Sequence, residues 1–282
     1  MKIGVSLSLT TSTINIVTLA QRCEELGFES LWLPEHTAIP VDVSSPWVGS
    51  ADGTIPDDMA QIVQPFIALA HASAVTTTIK LGTSVCLVPE HNPISLAKEI
   101  STLDYFSKGR VLLGIGSGWL KEETELYGIR FEDRAAVMRE SVLAMKELWT
   151  KDQSEFHGKF IDFPAIKCFP KPVQKPHPPI FLGGRAKNVF RRVVSWGDGW
   201  MPTRTSPREI EEGRREIDRL ARDAGRDPST IEISVHGQAG DPEVLRDFES
   251  AGAQRAMISL PRGASEDNAL TALEEIAGKV LT

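Results

Sequence analysis

Short apolar runs alternate with amphipathic helical patterns along the whole of this 282-residue chain, and this order limits the possible folds more than any other feature. No block of helices or of strands interrupts it, so the pattern predicts parallel strands joined by helices. The runs are Lys2–Ser8, Ser30–Pro34, Ile79–Val88, Arg110–Ile115, Pro179–Leu182, Gly199–Thr203, Ile231–His236 and Arg255–Leu260. Eight such units predict an α/β fold of the (β/α)8 TIM barrel type, and a doubly wound open sheet is the alternative.

Helical patterns separate these runs. They cover Ile14–Leu26, Gln64–Val75, Ile94–Phe106, Phe131–Thr150, Ala186–Trp196, Pro207–Ala224, Pro242–Ser250 and Asn268–Val280. In the fourth, apolar residues recur at steps of three and four from Ala135 to Trp149, which is typical of a helix with one buried face. Met145 and Trp149 are therefore expected in the core.

Two segments depart from the plain repeat and predict insertions after strands 2 and 4 of the barrel. Residues 37–61 form a long connection rich in Pro, Gly, Ser and Asp, and connections of this length are usually functional or mobile. Residues 156–163, FHGKFIDF, alternate like a small hairpin and lead into a proline-rich segment. Since no shift in composition marks a boundary, we expect residues 1–282 to form a single domain.

Composition excludes several classes of function. A formal net charge of -7 and a pI near 5.5 argue against nucleic acid or an anionic membrane as partner. No apolar run is long enough to cross a bilayer and the start of the chain lacks a signal-peptide pattern, so a cytoplasmic protein is expected. The three cysteines and six histidines lack the spacing of a disulfide framework or a metal site. Cys23 has the helical spacing of a buried core thiol.

Two Glu-His pairs follow predicted strands, at the end of the barrel where active sites are built. Glu35-His36 comes directly after the second strand. Histidine has an ordinary pKa of about 6.5, so His36 either exchanges a proton with a substrate or is a solvated loop residue. Glu90-His91 follows the third strand just before a helix, and we expect it to help cap that helix.

Glycines follow the fourth and fifth strands. The segment Gly116-Ser117-Gly118 lacks the pattern of a dinucleotide-binding turn, and its glycines suit either a flat ligand close to the main chain or a tight barrel corner. Gly183-Gly184 follow a buried strand that a stiff run of prolines leads into, and a helix is expected to begin at Arg185. Free N–H groups and a guanidinium together predict a phosphate site there, with an ordinary turn as the alternative.

At these residues the sequence resembles the luciferase-like flavin and deazaflavin oxidoreductase superfamily, and within it the coenzyme F420-dependent branch. The resemblance runs nearly the full chain. It is carried by LGFESLWLPEH, TTTIKLGTSVCLVPEHNPISLAKEISTLDYFSKGRVLLGIGSGWLKEE, FHGKFIDF, PKPVQKPHPPIFLGG and SWGDGWMP. It implies a (β/α)8 barrel that holds FMN or F420 with the ring across the strand ends.

The resemblance also implies roles for single residues. Ser84-Val85 matches a non-prolyl cis peptide that supports the ring, and His36 matches a proton donor. The other implied cofactor contacts are Glu35, Gly116, Ser117, Gly118, Gly183, Gly184 and Arg185. Relatives that oxidise sugar phosphates have a catalytic carboxylate where this chain has Trp119, which could instead wall an apolar substrate pocket. Glu122, three residues on, is the nearest carboxylate and a further candidate for contact with the cofactor.

Together these features predict an oxidoreductase that transfers a hydride between F420 and a small organic substrate. Basic residues beside Gly184 favour the anionic tail of F420, namely Arg185, Lys187, Arg191 and Arg192. The first alternative is an FMN-dependent monooxygenase that uses reduced flavin and oxygen. The second is a barrel that binds a phosphorylated ligand without redox chemistry. Since relatives are often dimers, a homodimer is possible.

Overall fold

Eight parallel strands close into a barrel in the computed structural model, which describes residues 1–47, 49–50 and 52–281. The strands of these residues are β1 (Lys2–Ser6), β2 (Ser30–Leu33), β3 (Lys80–Leu87), β4 (Val111–Gly116), β5 (Ser154–His157), β6 (Asp162–Ile166), β7 (Ile180–Gly183), β8 (Gly199–Met201), β9 (Glu232–Gln238) and β10 (Arg255–Ser259). The barrel order is β1-β10-β9-β8-β7-β4-β3-β2, and β5 pairs with β6 as an antiparallel hairpin. The predicted TIM barrel is confirmed and the open sheet is wrong.

Helices follow the barrel strands around the outside. Those of the described residues are α1 (Ile16–Leu26), α2 (Pro65–Val75), α3 (Pro93–Phe106), α4 (Lys121–Leu126), α5 (Arg134–Thr150), α6 (Val189–Trp196), α7 (Pro207–Asp223), α8 (Pro242–Ser250) and α9 (Glu266–Val280). All eight predicted helices are present. The sequence missed α4, because its six residues, KEETEL, contain no apolar period.

The interface between α5 and α3 shows how the helical period becomes a core. Met145 and Trp149 are 0% and 2% exposed, as their spacing predicts. The indole Nε1 of Trp149 donates a hydrogen bond to the Ala97 carbonyl at 2.9 Å, so this large side chain is buried with its polar atom satisfied. Cys23 is also fully buried, and burial raises the pKa of its thiol well above the usual range.

Arg255 closes the amino-terminal end of the barrel. It is 2% exposed, and its guanidinium donates to both carboxylate oxygens of Glu29 at 2.9 Å and to Glu232 at 3.1 Å. The same group lies over the rings of Trp32 and Phe181. A cavity of about 380 Å³ opens beside it. Since the chemistry of such barrels takes place at the other end, we assign this cluster to stability.

None of the helices in the described ranges combines the length and apolar character needed to cross a membrane.

Candidate active site

A pocket of about 390 Å³ opens at the carboxyl ends of β3, β4, β7 and β8, and we call it the main pocket. Nine residues singled out from the sequence line it: Ser84, Val85, Gly116, Ser117, Gly118, Trp119, Gly183, Gly184 and Arg185. Its other lining residues are Leu87, Met138, Leu182, Ala186, Val189, Arg192, Met201, Thr203 and His236. The lining does not include Glu35, His36 or Glu122, which the sequence had grouped with these residues.

Ser84 and Val85 form an irregular point in β3. The peptide bond between them is cis, as the resemblance implies, and the register of β3 against β4 shifts between Thr83 and Cys86. The Ser84 Oγ is buried, and it has no hydrogen-bond partner among the described residues. A buried hydroxyl without a partner at a pocket wall is available to a ligand.

The glycines of the pocket serve two different purposes. A Cβ on Gly116 would lie 2.7 Å from a Val85 methyl group, and one on Gly183 would lie 2.9 Å from the other methyl group. These two glycines are therefore required by barrel packing. Gly184 has φ +91° and nothing within 4 Å of its Cβ position, so it borders open space. Of these three, Gly184 is the one at which a side chain would take up room in the pocket.

Arg185 does not begin a helix, and its charge is already matched. The helix α6 begins at Val189, four residues later than Arg185, because Asn188 is its cap residue. The Arg185 guanidinium donates to the Arg204 carbonyl at 2.7 Å and forms an ion pair with Glu209. The predicted helix start at Arg185 is therefore wrong, and Arg185 is not a spare cation.

Arg192 is the cation that the pocket leaves without a counter-charge. It lines the main pocket, and none of the carboxylates in the described parts of the chain pairs with it. Burial, and secondarily the positive charge of Arg192, lower the pKa of Arg134. Arg134 in turn donates to the Gly118 carbonyl at 3.1 Å. Two guanidinium groups thus lie near one end of the pocket, which suits an anion.

His36 is held by a carboxylate from α4. Its Nδ1 lies 2.6 Å from Glu123 Oε2, and the Glu123 Oε1 accepts the main-chain N–H groups of Thr37 and Ala38. Because an ionised carboxylate only accepts hydrogen bonds, this contact assigns a proton to Nδ1. The Trp119 indole donates to His36 Nε2 at 3.4 Å. Nε2 therefore carries the lone pair of the ring, and this lone pair accepts the hydrogen bond from Trp119 on the pocket wall.

Glu122, the carboxylate predicted from the sequence, is directed away from the main pocket. Its Oε1 accepts hydrogen bonds from the Ser44 N–H and hydroxyl, each at 2.7 Å, and these bonds lower its pKa to about 2. Glu122 thus anchors the long connection between β2 and α2, away from the main pocket. The next residue, Glu123, supplies the carboxylate instead. Glu123 follows Trp119 by four residues, and the sequence analysis considered only Glu122, the residue before it.

Glu35 lies behind the pocket in a buried pair. It is 3% exposed, its Oε2 accepts the Leu87 N–H at 2.7 Å, and His91 Nε2 lies 3.0 Å away. Burial lowers the pKa of His91, but the hydrogen bond and charge of Glu35 outweigh it and raise that pKa. The cap of α3 is Asn92, which accepts from the next two free N–H groups. The expectation that Glu90-His91 caps this helix is therefore wrong.

Cys86 completes a cluster with this pair. Three possible metal-binding atoms lie within 4.8 Å of one another, one each from Glu35, Cys86 and His91. Such an arrangement could hold a metal ion. The hydrogen bonds that Glu35 accepts from Leu87 and His91 already hold it in place. We therefore interpret the cluster as a hydrogen-bonded link between the ends of β2 and β3.

Glu90, which the sequence assigned to a helix cap, is a buried acid. It is 5% exposed, and its two carboxyl oxygens have no hydrogen-bond partner among the described residues. Burial, followed by the charges of Glu123 and Glu35, raises its pKa to about 8. Glu90 is therefore a neutral acid at pH 7. It lies against Gly118, where an added Cβ would be 3.3 Å from its Oε1.

A match to a known protein family shows where this barrel belongs. The family model described as luciferase-like monooxygenase matches residues 1–251. The chain belongs to the luciferase-like monooxygenase family. The superfamily resemblance is thereby confirmed, and with it an oxidoreductase or monooxygenase, whereas dependence on F420 stays a prediction.

Proteins similar to this chain carry names that mention different cofactors, or none. An uncharacterised protein of Mycobacterium tuberculosis is 35% identical over 99% of both chains. An FMNH2-dependent dimethylsulfone monooxygenase of Pseudomonas putida is 30% identical over 60% of this chain and 47% of its own. The structure of an F420-dependent secondary alcohol dehydrogenase superposes with a TM-score of 0.78 at 20% identity, over 99% of this chain and 98% of that one. That likeness shows the fold alone.

Proposed function

We propose that this luciferase-like oxidoreductase transfers a hydride between coenzyme F420 and a small organic substrate, with His36 as the proton donor or acceptor. The observation that carries the proposal is the buried pair of His36 and Glu123, with the imidazole Nε2 directed at Trp119 on the pocket wall. When a hydride moves to or from the carbon of a carbonyl or alcohol, a proton must move to or from the attached oxygen. A histidine held by a carboxylate is suited to that step near neutral pH.

The residues of the main pocket fit a flavin-like cofactor. The space beside Gly184 and the unpaired charge of Arg192 suit a phosphate, and the Ser84 hydroxyl and Val85 side chain suit a ring lying over β3. Bound F420 would supply or accept the hydride. When the substrate oxygen loses its proton, His36 Nε2 takes it, and the ionised Glu123 stabilises the resulting imidazolium. Trp119 must turn aside for this contact, because its indole is now hydrogen-bonded to Nε2.

An FMN-dependent monooxygenase is the second candidate, and two observations favour it. Arg192 is the cation of the pocket wall that remains unpaired among the described residues, and one such charge suits the single phosphate of FMN. The relative from Pseudomonas putida is named as FMNH2-dependent. A barrel that binds a phosphorylated ligand without redox chemistry is the third candidate, and binding of either cofactor would eliminate it.

A fluorescence titration distinguishes these candidates. We expect purified protein to bind F420 more tightly than FMN, with the advantage shrinking at high salt as charge contacts are screened. Arg192→Gln should weaken binding of the preferred cofactor and flatten this salt dependence. Arg191→Gln, one residue away on the exposed face of α6, is the matched control. Tight binding of FMN with no detectable binding of F420 would replace the hydride-transfer proposal with the monooxygenase.

A further inference from the structure

A second cavity of about 190 Å³ adjoins the main pocket, and the two share Ser84 and His236 in their walls. Its other lining residues follow β1, β2 and β10: Ser6, Leu7, Ser8, Pro34, Ser259, Leu260 and Arg262. In the order of the barrel these strands lie across from β4 and β7, which form the glycine-rich end of the main pocket.

The second cavity has a largely apolar wall that carries several hydroxyl groups and a balanced charge. Hydroxyl groups of Ser6, Ser8 and Ser259 line it, and the Ser6 and Ser259 oxygens are 3.2 Å apart. Arg262 is the charged residue among the described lining residues. Its Nε already donates to Asp58 Oδ2 at 2.6 Å, and its guanidinium lies 5.3 Å from the Trp47 ring centroid. Such a wall suits a small, uncharged molecule with hydroxyl or carbonyl groups.

The His236 side chain stands where the two cavities meet. Its main-chain N–H and carbonyl are both hydrogen-bonded, to Pro202 and Gln238, but no hydrogen bond of its imidazole is found within the described ranges. Burial lowers the pKa of His236 to about 4, so the ring is uncharged at neutral pH. An uncharged imidazole offers one donor and one acceptor. His236 is only half-buried, so its ring nitrogens are accessible from the cavity junction and free to bind a polar group of a ligand.

We propose that the second cavity is the substrate compartment, and that His236 binds a hydroxyl or carbonyl oxygen of a small uncharged substrate there. This proposal rests on the proposed function, because it places the substrate beside the cofactor ring at Ser84. His236 would orient the substrate, and proton transfer would remain with His36.

Nuclear magnetic resonance of protein labelled with carbon-13 at histidine tests this directly, using glycerol as the probe and lactate as a charged probe of matched size. We expect glycerol to shift the ring signal of His236, identified by its loss in His236→Leu or His236→Gln, and lactate to bind about tenfold more weakly. The titration is run without cofactor and with whichever cofactor binds. An unmoved His236 signal in both states, or equal affinity for the two probes, would overturn the proposal.

A variant that fills the second cavity separates the two sites. Ser259→Phe should abolish the glycerol shift and leave cofactor affinity unchanged, because Ser259 lines the second cavity and not the main pocket. Ser195→Phe, an exposed serine on α6, should leave both unchanged. If Ser259→Phe instead weakens cofactor binding, the cavity belongs to the cofactor and the proposal is wrong. A failed cofactor titration would overturn the proposed function while leaving the glycerol result to stand by itself.

Discussion

Glu123 Oε2 lies 2.6 Å from His36 Nδ1, and the two side chains are 1% and 7% exposed. A short contact between a buried carboxylate and an imidazole fixes both the tautomer and the direction of the ring. It also leaves the lone pair of the ring on Nε2, which accepts a hydrogen bond from the Trp119 indole. The carboxylate comes from α4, and it therefore reaches His36 from a different part of the chain than the strand that carries the histidine.

Glu123→Gln should lower turnover by about 10²-fold or more, because the amide cannot stabilise the imidazolium as a carboxylate does. Turnover is measured by steady-state kinetics with a candidate substrate. Glu122→Gln is the matched control, since its carboxylate binds Ser44 instead. Equal effects of the two variants would reduce Glu123 to a structural role.

His36→Phe should leave cofactor affinity nearly intact and lower turnover by the ~10²–10⁴-fold typical of a lost acid or base. Cofactor affinity follows from the fluorescence titration, and turnover from the same substrate used for Glu123→Gln. His71→Phe, on the exposed face of α2, controls for the loss of a histidine. Unchanged turnover in His36→Phe would assign this residue a structural role alone and remove the central support of the proposed function.

Gly184→Val should weaken cofactor binding by more than its loss of stability explains. A non-glycine residue at φ +91° costs about 1–2 kcal/mol in any protein. Gly27, which caps α1, has the same φ and equally open space, so Gly27→Val is a control with matched backbone strain. Chemical denaturation and cofactor titration of both variants separate the two effects. If both variants bind cofactor as tightly as the parent, the phosphate site at Gly184 is wrongly placed.

Glu90 should make the fold less stable as pH rises. Its folded-state pKa of about 8 exceeds the ordinary 4.5, so the native state binds the extra proton between these values and each step up in pH favours unfolding. Above pH 8, the ionised group faces the negative charges of Glu123 and Glu35. Glu90→Gln should remove this dependence. Urea unfolding of both proteins at pH 6 and pH 8.5 measures it, and parallel changes in the two would contradict the assignment.

The fold was predictable because each barrel strand is buried on both faces and so reads as a short apolar run. The site was predictable only in part. Glu123 was missed because α4 is too short and too charged to show a period. His236 was predicted as the last residue of its strand, whereas β9 continues to Gln238. A strand end that is displaced by two residues hides which side chain faces the pocket.

Neighbouring residues of the same type differ in their surroundings in ways that the sequence does not show. Gly183 and Gly184 are identical in sequence terms, yet a Cβ on the first would meet Val85 and a Cβ on the second would meet nothing. Glu122 and Glu123 are equally acidic, but consecutive residues of a helix point about 100° apart, and only Glu123 faces His36. Composition and spacing do not carry this information, because it depends on the direction in which each backbone position projects.

The two carboxylates of α4 hold the long connection and His36 in place. Glu122 accepts hydrogen bonds from Ser44 in the long connection between β2 and α2. Glu123 is hydrogen-bonded to His36 and accepts the N–H groups of Thr37 and Ala38 at the start of the same connection. The position of this connection and the direction of the imidazole therefore depend on one six-residue helix. A substitution that displaces α4 is expected to disturb both together.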